Sequence, residues 1–387
     1  MDLTDTVGPH VTSGALPGVA ALIGRGTDEV EAAVLGSPSF EAPTTLRRDA
    51  IFRIASVTKP MVAVLAMLLV EDGTVRLDDS VEDLLPELAD RQVLRDIGGP
   101  LDDTVPADRP ITLEDLLSLR FGFGFSPELP FPGTTPIQEA ETALELKTLG
   151  PPWPPAPFDN AEWMRRLGTL PLLAQPGSTW MYNTGLHVTG VLLERAAGIG
   201  LGDLLQARLC APLGMVDTGF MVPADQVHRL TTQYAADAAT GALQVIDEGD
   251  DTSWWAAPPA KPDASGGLVS TLDDVWAFGR MMAGGGRHEG QALISPASFA
   301  LLTTNRLTGA QRRAATLFVG EAGGWGLGMG TPVDGVGSFG WEGGTGTSWR
   351  MEPRSGTTVI VLTQRAMDSP QPPPLFRAVW SYAWGAP

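Results

Sequence analysis

The chain has 387 residues, 43% of them hydrophobic and 18% charged, with a formal net charge of −19; this suffices for two domains, or one domain with a large insertion, and excludes a disordered chain. The charge argues against nucleic acid and anionic membrane surfaces as partners, because both would repel it, and solubility is its plainer explanation. A single cysteine, Cys210, excludes an intrachain disulfide framework and any Cys-rich metal site, and reads as a small buried apolar residue.

Met1–Thr6 lacks a basic segment followed by an apolar run, so no secretory signal is visible. The longest apolar run, Met61–Val70, is too short to span a bilayer. The expectation is a cytoplasmic chain with no membrane partner. Val19–Gly24 and Glu29–Leu35 read as strands of a hairpin around Arg25-Gly26-Thr27-Asp28. A helix starting near Ser56 ends about Glu71-Asp72-Gly73-Thr74, with the glycine as its C-cap. Leu77–Pro86 looks like a short helix stopped by proline, and Thr112-Leu113-Glu114-Asp115 is close to a capping box.

From Gly122 to about Pro157 the sequence turns loop-rich, through Pro130-Phe131-Pro132-Gly133 and Pro151-Pro152-Trp153-Pro154-Pro155. Such a loop is either a lid or binding wall or a proline-stiffened excursion. Leu186–Ala197 reads as an amphipathic helix with Leu192 and Leu193 inward, and Ser270–Asp274 caps another running through Met282. Ser348–Glu352 and Thr357–Gln364 read as paired strands around Pro353–Gly356, and Pro374–Trp384 as a closing helix. Strands at both ends with helices between them predict an α/β domain from residues 1–80 and 260–387. A mainly helical insertion, 81–259, interrupts it, with the Pro-rich loop around 122–157.

Ser56-Val57-Thr58-Lys59, directly before the apolar run, carries the chemistry. A serine attacks a carbonyl well only when a base removes its proton, and an amine one helical turn away serves when burial lowers its pKa. Spacing i,i+3 puts the two side chains on one helix face. Pro60 lacks an N–H and fits the first helical turn, where that donor would be unpaired, which puts Ser56 at a helix N-terminus. A serine there is most often only an N-cap. Only three of the 26 basic residues are lysines, Lys59, Lys147 and Lys261, so a lysine beside this serine is less easily surface filler.

Other chemistries find no support. No serine satisfies Gly-x-Ser-x-Gly; His10, His187, His228 and His288 lack metal-type partner spacing; and the glycine clusters Gly284-Gly285-Gly286 and Gly343-Gly344 lack the Lys-Ser/Thr of a phosphate loop. No metal and no cofactor is expected. Among three tyrosines, Tyr182 stands in Pro176-Gly177-Ser178-Thr179-Trp180-Met181-Tyr182, a turn leading into a helix, where a phenol could project into a cleft.

Together these segments resemble the serine β-lactamase and penicillin-binding-protein superfamily, in its class C-like branch, which includes the family VIII carboxylesterases. Phe52–Pro60 matches the nucleophile motif, Pro176-Gly177 with Trp180-x-Tyr182 the second motif, and Ala211–Phe220 and Ala264–Asp274 two further blocks. The resemblance implies a β-lactamase/transpeptidase-like fold, an antiparallel sheet flanked by helices with a mostly helical second domain. It implies Ser56 as acylated nucleophile, Lys59 as its activator, and Tyr182 as general base and as acid to the leaving group. The third motif falls at Trp341-Glu342-Gly343, similar to the Trp-Gly-Gly of family VIII, with Glu342 a departure. The oxyanion hole would be the N–H groups of Ser56 and Gly344.

Trp341 cannot supply the lysine charge with which β-lactamases and peptidases hold a substrate carboxylate. Thr184 stands where the second motif has Asn, with Asn183 adjacent, and Leu119-Arg120-Phe121-Gly122 replaces His-Thr-Ser-Gly. The implied activity is hydrolysis of a small-molecule carboxylic ester; a β-lactamase or D-alanyl-D-alanine carboxypeptidase, or an acyltransferase or amidase, are the alternatives on this scaffold, and homo-oligomerisation is open. Trp153, Phe158 and Trp341 are candidates to wall an apolar acyl or alcohol pocket, with core packing as the alternative.

Overall fold

Seven antiparallel strands form the central sheet: β1 (Gly18–Arg25), β2 (Asp28–Gly36), β3 (Gly323–Trp325), β4 (Gly330–Pro332), β5 (Phe339–Gly343), β6 (Thr347–Glu352) and β7 (Thr357–Thr363). Their spatial order is β3-β4-β5-β6-β7-β1-β2. The structure is a computed structural model describing residues 2–42, 44–130, 133–146 and 152–385. β1 and β7 are neighbours, with Ala21 opposite Val361, so the sheet draws strands from both ends of the chain.

The strand alternation separates two apolar layers. Val19, Ala21 and Ile23 of β1, with Val359 and Val361 of β7, join Leu3 and Val7 of α1 (Leu3–Thr12) and Leu375, Phe376 and Val379 of the last helix, Pro374–Trp384. Ala20, Leu22, Ile360 and Leu362 face the other way, into a larger core with α2 (Thr58–Glu71). Strands covered on both faces have no polar side to show, which is why their sequences are continuously apolar. Every residue of α2 from Thr58 to Leu69 is buried, and a helix apolar all round belongs in an interior.

The same core runs on into the insertion through α3 (Leu113–Leu117), α4 (Asn160–Leu167) and α5 (Thr184–Ala197). Thr112 and Asp115 close the capping box, the Asp115 carboxylate accepting from Thr112 N at 3.0 Å. α6 (Leu272–Ala283), capped by Thr271, and α7 (Gly309–Val319) pack on this larger core, while α8 (Pro374–Trp384) lies with α1 on the other face of the sheet. Cys210 is a free, buried thiol.

Two expectations need correction, and one helix is unforeseen. Leu77–Pro86 forms turns rather than a helix: the Val81 N–H bonds Ile111 O (3.0 Å) and Ser80 Oγ takes the Glu82 N–H (3.2 Å), so long-range and local partners displace helical ones. The loop from Gly122 contains a helix, Pro136–Ala143, capped by Thr135 and Gln138; Phe131, Pro132 and residues 147–151 lie outside the described residues. α1 was hidden by Gly8 and Pro9 but carries an Asp2–Asp5 capping box. No helix among the described residues is long and apolar enough to cross a membrane.

The approach to Ser56 is fixed by a buried ion pair. Arg53, 1% exposed, donates from Nε to Asp247 Oδ2 (2.6 Å) and from Nη2 to Glu248 O (2.8 Å) and Ser253 Oγ (3.1 Å), and bonds Thr231 O as well. A buried charge stripped of its partner costs far more than the pair gains. Asp247→Ala is therefore expected to lower the unfolding free energy by about 3–5 kcal/mol, read by urea denaturation; a loss below about 1 kcal/mol would show that this pair does not hold the segment.

Candidate active site

Ser56 sits in the 3₁₀ turn Ala55–Val57 that leads into α2. From Ala50 to Leu69 every other residue is buried and Ser56 alone is partly exposed, so this serine is where α2 meets the solvent side of the fold. The turn is clamped from the sheet. Ile54 N donates to Leu268 O (3.0 Å), while Thr345 Oγ1 donates to Arg53 O (2.5 Å) and Thr347 Oγ1 to Ile54 O (2.8 Å). Gly343 ends β5 against this turn: a Cβ there would lie 2.2 Å from Ile54 O, whereas one on Gly344 would meet open space. The strand end is thus pressed on the serine's turn by one glycine and opens in front of it at the next.

Lys59 is wholly buried. Its Nζ lies 2.7 Å from Ser56 Oγ and 2.5 Å from Ser265 O. Burial lowers its pKa to about 7, a fall that the nearby Asp263 carboxylate resists. At neutral pH this lysine is thus available as an amine with a free lone pair, which an exposed lysine is not.

Tyr182 closes the triangle, its Oη donating to Ser56 Oγ at 3.0 Å and accepting from Trp341 Nε1 at 2.7 Å. Its ring stacks on Phe318 of α7, centroids 4.2 Å apart, and Lys59 Nζ lies 4.8 Å from its centre. Its backbone is held by paired bonds with Phe125, N to O at 2.9 Å and O from N at 3.0 Å. Burial pushes the phenol up to about 12, against its hydrogen bonds to Ser56 and from Trp341 and with the help of the Glu342 charge. Two non-glycine residues adjoin the site with positive φ, Ala55 at 41° and Asn183 at 80°. Such backbone is costly and persists where surrounding contacts over-determine it.

The structure thus brings Ser56, Lys59 and Tyr182 within hydrogen-bond distance, with Trp341, Gly343 and Gly344 alongside. Trp341 is 3% exposed and packs edge-on to Trp325 at 4.6 Å, and it presents its N–H to Tyr182. Glu342 is 8% exposed and bound at both oxygens by Arg350 (2.6 and 2.7 Å). Trp153 packs on the cluster of Ile51, Trp255 and Val269. Phe158 lies 3.9 Å beneath the Arg166 guanidinium and against the main core, contacts that make it a packing residue.

Sequence reasoning missed a second buried set behind Lys59. His187 of α5, Lys261 and Asp263 are each less than a tenth exposed; His187 Nε2 lies 3.4 Å from Asp263 Oδ1 and bonds Lys261 Nζ. The scarcity of lysine was the available signal, since Lys59 and Lys261 are the two lysines among the described residues. Among those residues no group of three or more His, Cys, Asp or Glu is arranged to hold a metal ion.

A family model described as Beta-lactamase matches residues 3–383. The chain is similar to Protein Rv1367c of Mycobacterium tuberculosis, 33% identical over 373 residues, covering 92% of this chain and 88% of that protein. It is also similar to Esterase EstB of Burkholderia gladioli, 28% identical over 377 residues, covering 91% and 87%. Among solved structures, EstCE1, a hydrolase with promiscuous acyltransferase activity, superposes with a TM-score of 0.78 at 24% identity, over 98% of this chain and 97% of that one.

The close approach at Gly343 generates a test. Gly343→Ala is expected to destabilise the fold by about 1–3 kcal/mol, the usual cost of overpacking, measured by thermal unfolding, while Gly344→Ala leaves stability within about 0.5 kcal/mol. Equal effects of the two would contradict the clamp on Ile54.

Proposed function

The chain belongs to the Beta-lactamase family and is a serine hydrolase, and from that premise we propose that it cleaves carboxylic esters of short or medium acyl chains through a Ser56 acyl-enzyme. The observation that carries this reading is the contact of Ser56 Oγ with both Lys59 Nζ (2.7 Å) and Tyr182 Oη (3.0 Å). With Lys59 near neutrality and Tyr182 protonated, the amine rather than the phenol takes the first proton. This shifts the base role from the Tyr182 that the family resemblance implies.

As Oγ bonds to the ester carbonyl carbon, its proton passes to Lys59 Nζ and the carbonyl oxygen becomes an oxyanion, received by the N–H groups of Ser56 and Gly344. Collapse breaks the bond to the alkoxy oxygen, which takes a proton from Tyr182 Oη; the Lys59 ammonium then returns a proton to the Tyr182 oxygen. Water then repeats the sequence on the acyl-enzyme and releases the carboxylic acid, leaving Ser56 protonated.

An ester is favoured over a β-lactam or D-alanyl peptide by what stands at the third motif. Those substrates carry a carboxylate, and here the position of the cation is filled by Trp341, with the Glu342 carboxylate beside it. The similarity to Esterase EstB fits the same substrate class. Acyl transfer to an alcohol is a second reading, favoured by the activity named for EstCE1; it needs only that an alcohol, not water, reach the acyl-enzyme.

Two experiments test this reading. Ser56→Ala should lower kcat/KM for p-nitrophenyl butyrate by about a thousandfold or more, and the wild type should turn over this ester faster than a chromogenic cephalosporin; persistence of ester turnover in the variant, or the reverse preference, counts against it. Trp341→Phe keeps a ring but deletes the N–H on Tyr182, and should lower kcat about tenfold to a hundredfold with KM little changed. An unchanged kcat would remove Trp341 from the proton path.

A further inference from the structure

Behind Lys59 lies charge that the acylation scheme does not use. Asp263 Oδ1 accepts from Ser265 N at 2.8 Å and Ser265 Oγ at 2.7 Å. Ser265 in turn offers its carbonyl to Lys59 Nζ at 2.5 Å. The carboxylate therefore orients the peptide that receives Lys59 and acts on the amine through one residue. His187 stacks on Trp163 with centroids 4.5 Å apart, and Lys261 Nζ is 5.3 Å from the centre of the Trp163 ring. Pro258, Pro259 and Pro262 surround Lys261 in sequence and fix φ along the segment that carries it.

The titratable groups that reach Lys59 are Asp263, His187 on α5 and the Tyr182 phenol; Lys261 lies beyond His187 and Asp263, and the Glu342–Arg350 pair beyond Tyr182. Two lysines and one histidine share a single buried carboxylate here. Burial holds His187 neutral, near pKa 3, with Asp263 opposing and both lysines reinforcing. Its Nε2 is then free to accept from Lys261. Burial also lowers Lys261, against Asp263, but Lys261 has a ring-nitrogen acceptor and an indole face that favour its ammonium form, while Lys59 has a hydroxyl and a carbonyl. Asp263 stays ionised, its pKa held low by Lys261 and the Ser265 donors against its burial. One negative charge offsets the burial of one ammonium, not two.

We propose that Asp263 and Lys261 are positioning residues for the acylation base: Lys261, seated on His187, supplies the cation that balances Asp263 and so leaves Lys59 unprotonated beside Ser56. This rests on the reading of Lys59 as the base. Removing Lys261 alone leaves Asp263 to draw a proton onto Lys59; removing the Asp263 charge releases that proton more easily.

The test is the pH dependence of kcat/KM for p-nitrophenyl butyrate. In the wild type it rises with pH as Lys59 loses its proton, with a midpoint of about 7. Lys261→Met should move this limb up by about one pH unit, so that turnover is about tenfold slower on the acid side and equal on the alkaline plateau. Asp263→Asn, which keeps the acceptor for Ser265, should move it down, and the double variant should return it towards the wild type. A limb unmoved in Asp263→Asn, or a loss in Lys261→Met that is the same at every pH, overturns the inference; should Lys261→Met fail to fold, the direction of the Asp263→Asn shift decides. Turnover that survives Ser56→Ala overturns the underlying reading, whereas Ser56-dependent turnover with an unmoved limb overturns the positioning role alone.

Discussion

An amine with no exposure to water, held between a serine hydroxyl and a backbone carbonyl, is the constraint on which the rest of this structure depends. Burial disfavours the ammonium form, and so turns an ordinarily protonated side chain into a base at neutral pH. That environment cannot be made by the Ser-x-x-Lys segment itself. It needs α2 sunk in the core on every side, a sheet against the turn before it, and the Asp263–Gly267 segment laid across its amine. The fold can be read as the apparatus that keeps water from Lys59 and admits it at Ser56.

β5 is the element in which these demands meet. Gly343 lets the strand end touch Ile54, Gly344 leaves room in front of Ser56, and Trp341 reaches Tyr182. The indole is braced by Trp325, and Tyr182 by Phe318, so the phenol sits in an aromatic setting with few alternatives. A tryptophan at this point exchanges a cation for a hydrogen-bond donor. On the proposed reading, the change withdraws a handle for anionic substrates and stiffens the proton path at the same time.

The Ser56 helix, the hairpin of β1 and β2, the β6–β7 pairing and α8 were legible because each is specified locally, by apolar runs, turn residues and caps. Ser56, Lys59 and Tyr182, proposed here as the catalytic set, could be picked out because the motifs around them are specific as a set, though none is so alone. Leu77–Pro86 was misread because its helical pattern lost to a backbone bond with Ile111, far along the chain. The Asp263–Lys261–His187 set was missed for a related reason. Its members are 74 and 76 residues apart in pairs that only tertiary packing joins, and His187 taken alone looks like any core histidine. The reading of Trp341 stayed open between pocket wall and core packing because an aromatic in a motif gives no hint of which edge it presents; the distance to Tyr182 Oη shows where its N–H points.

The central claim is that Ser56 is the nucleophile, activated by a neutral Lys59. Its most direct test is intact-protein and peptide mass spectrometry after reaction with a fluorophosphonate at neutral pH, on the wild type and on Lys59→Met. The account predicts one adduct, on the peptide containing Ser56, formed at least about a hundredfold more slowly in Lys59→Met. An adduct on any other residue, or equal rates in the two proteins, would contradict it.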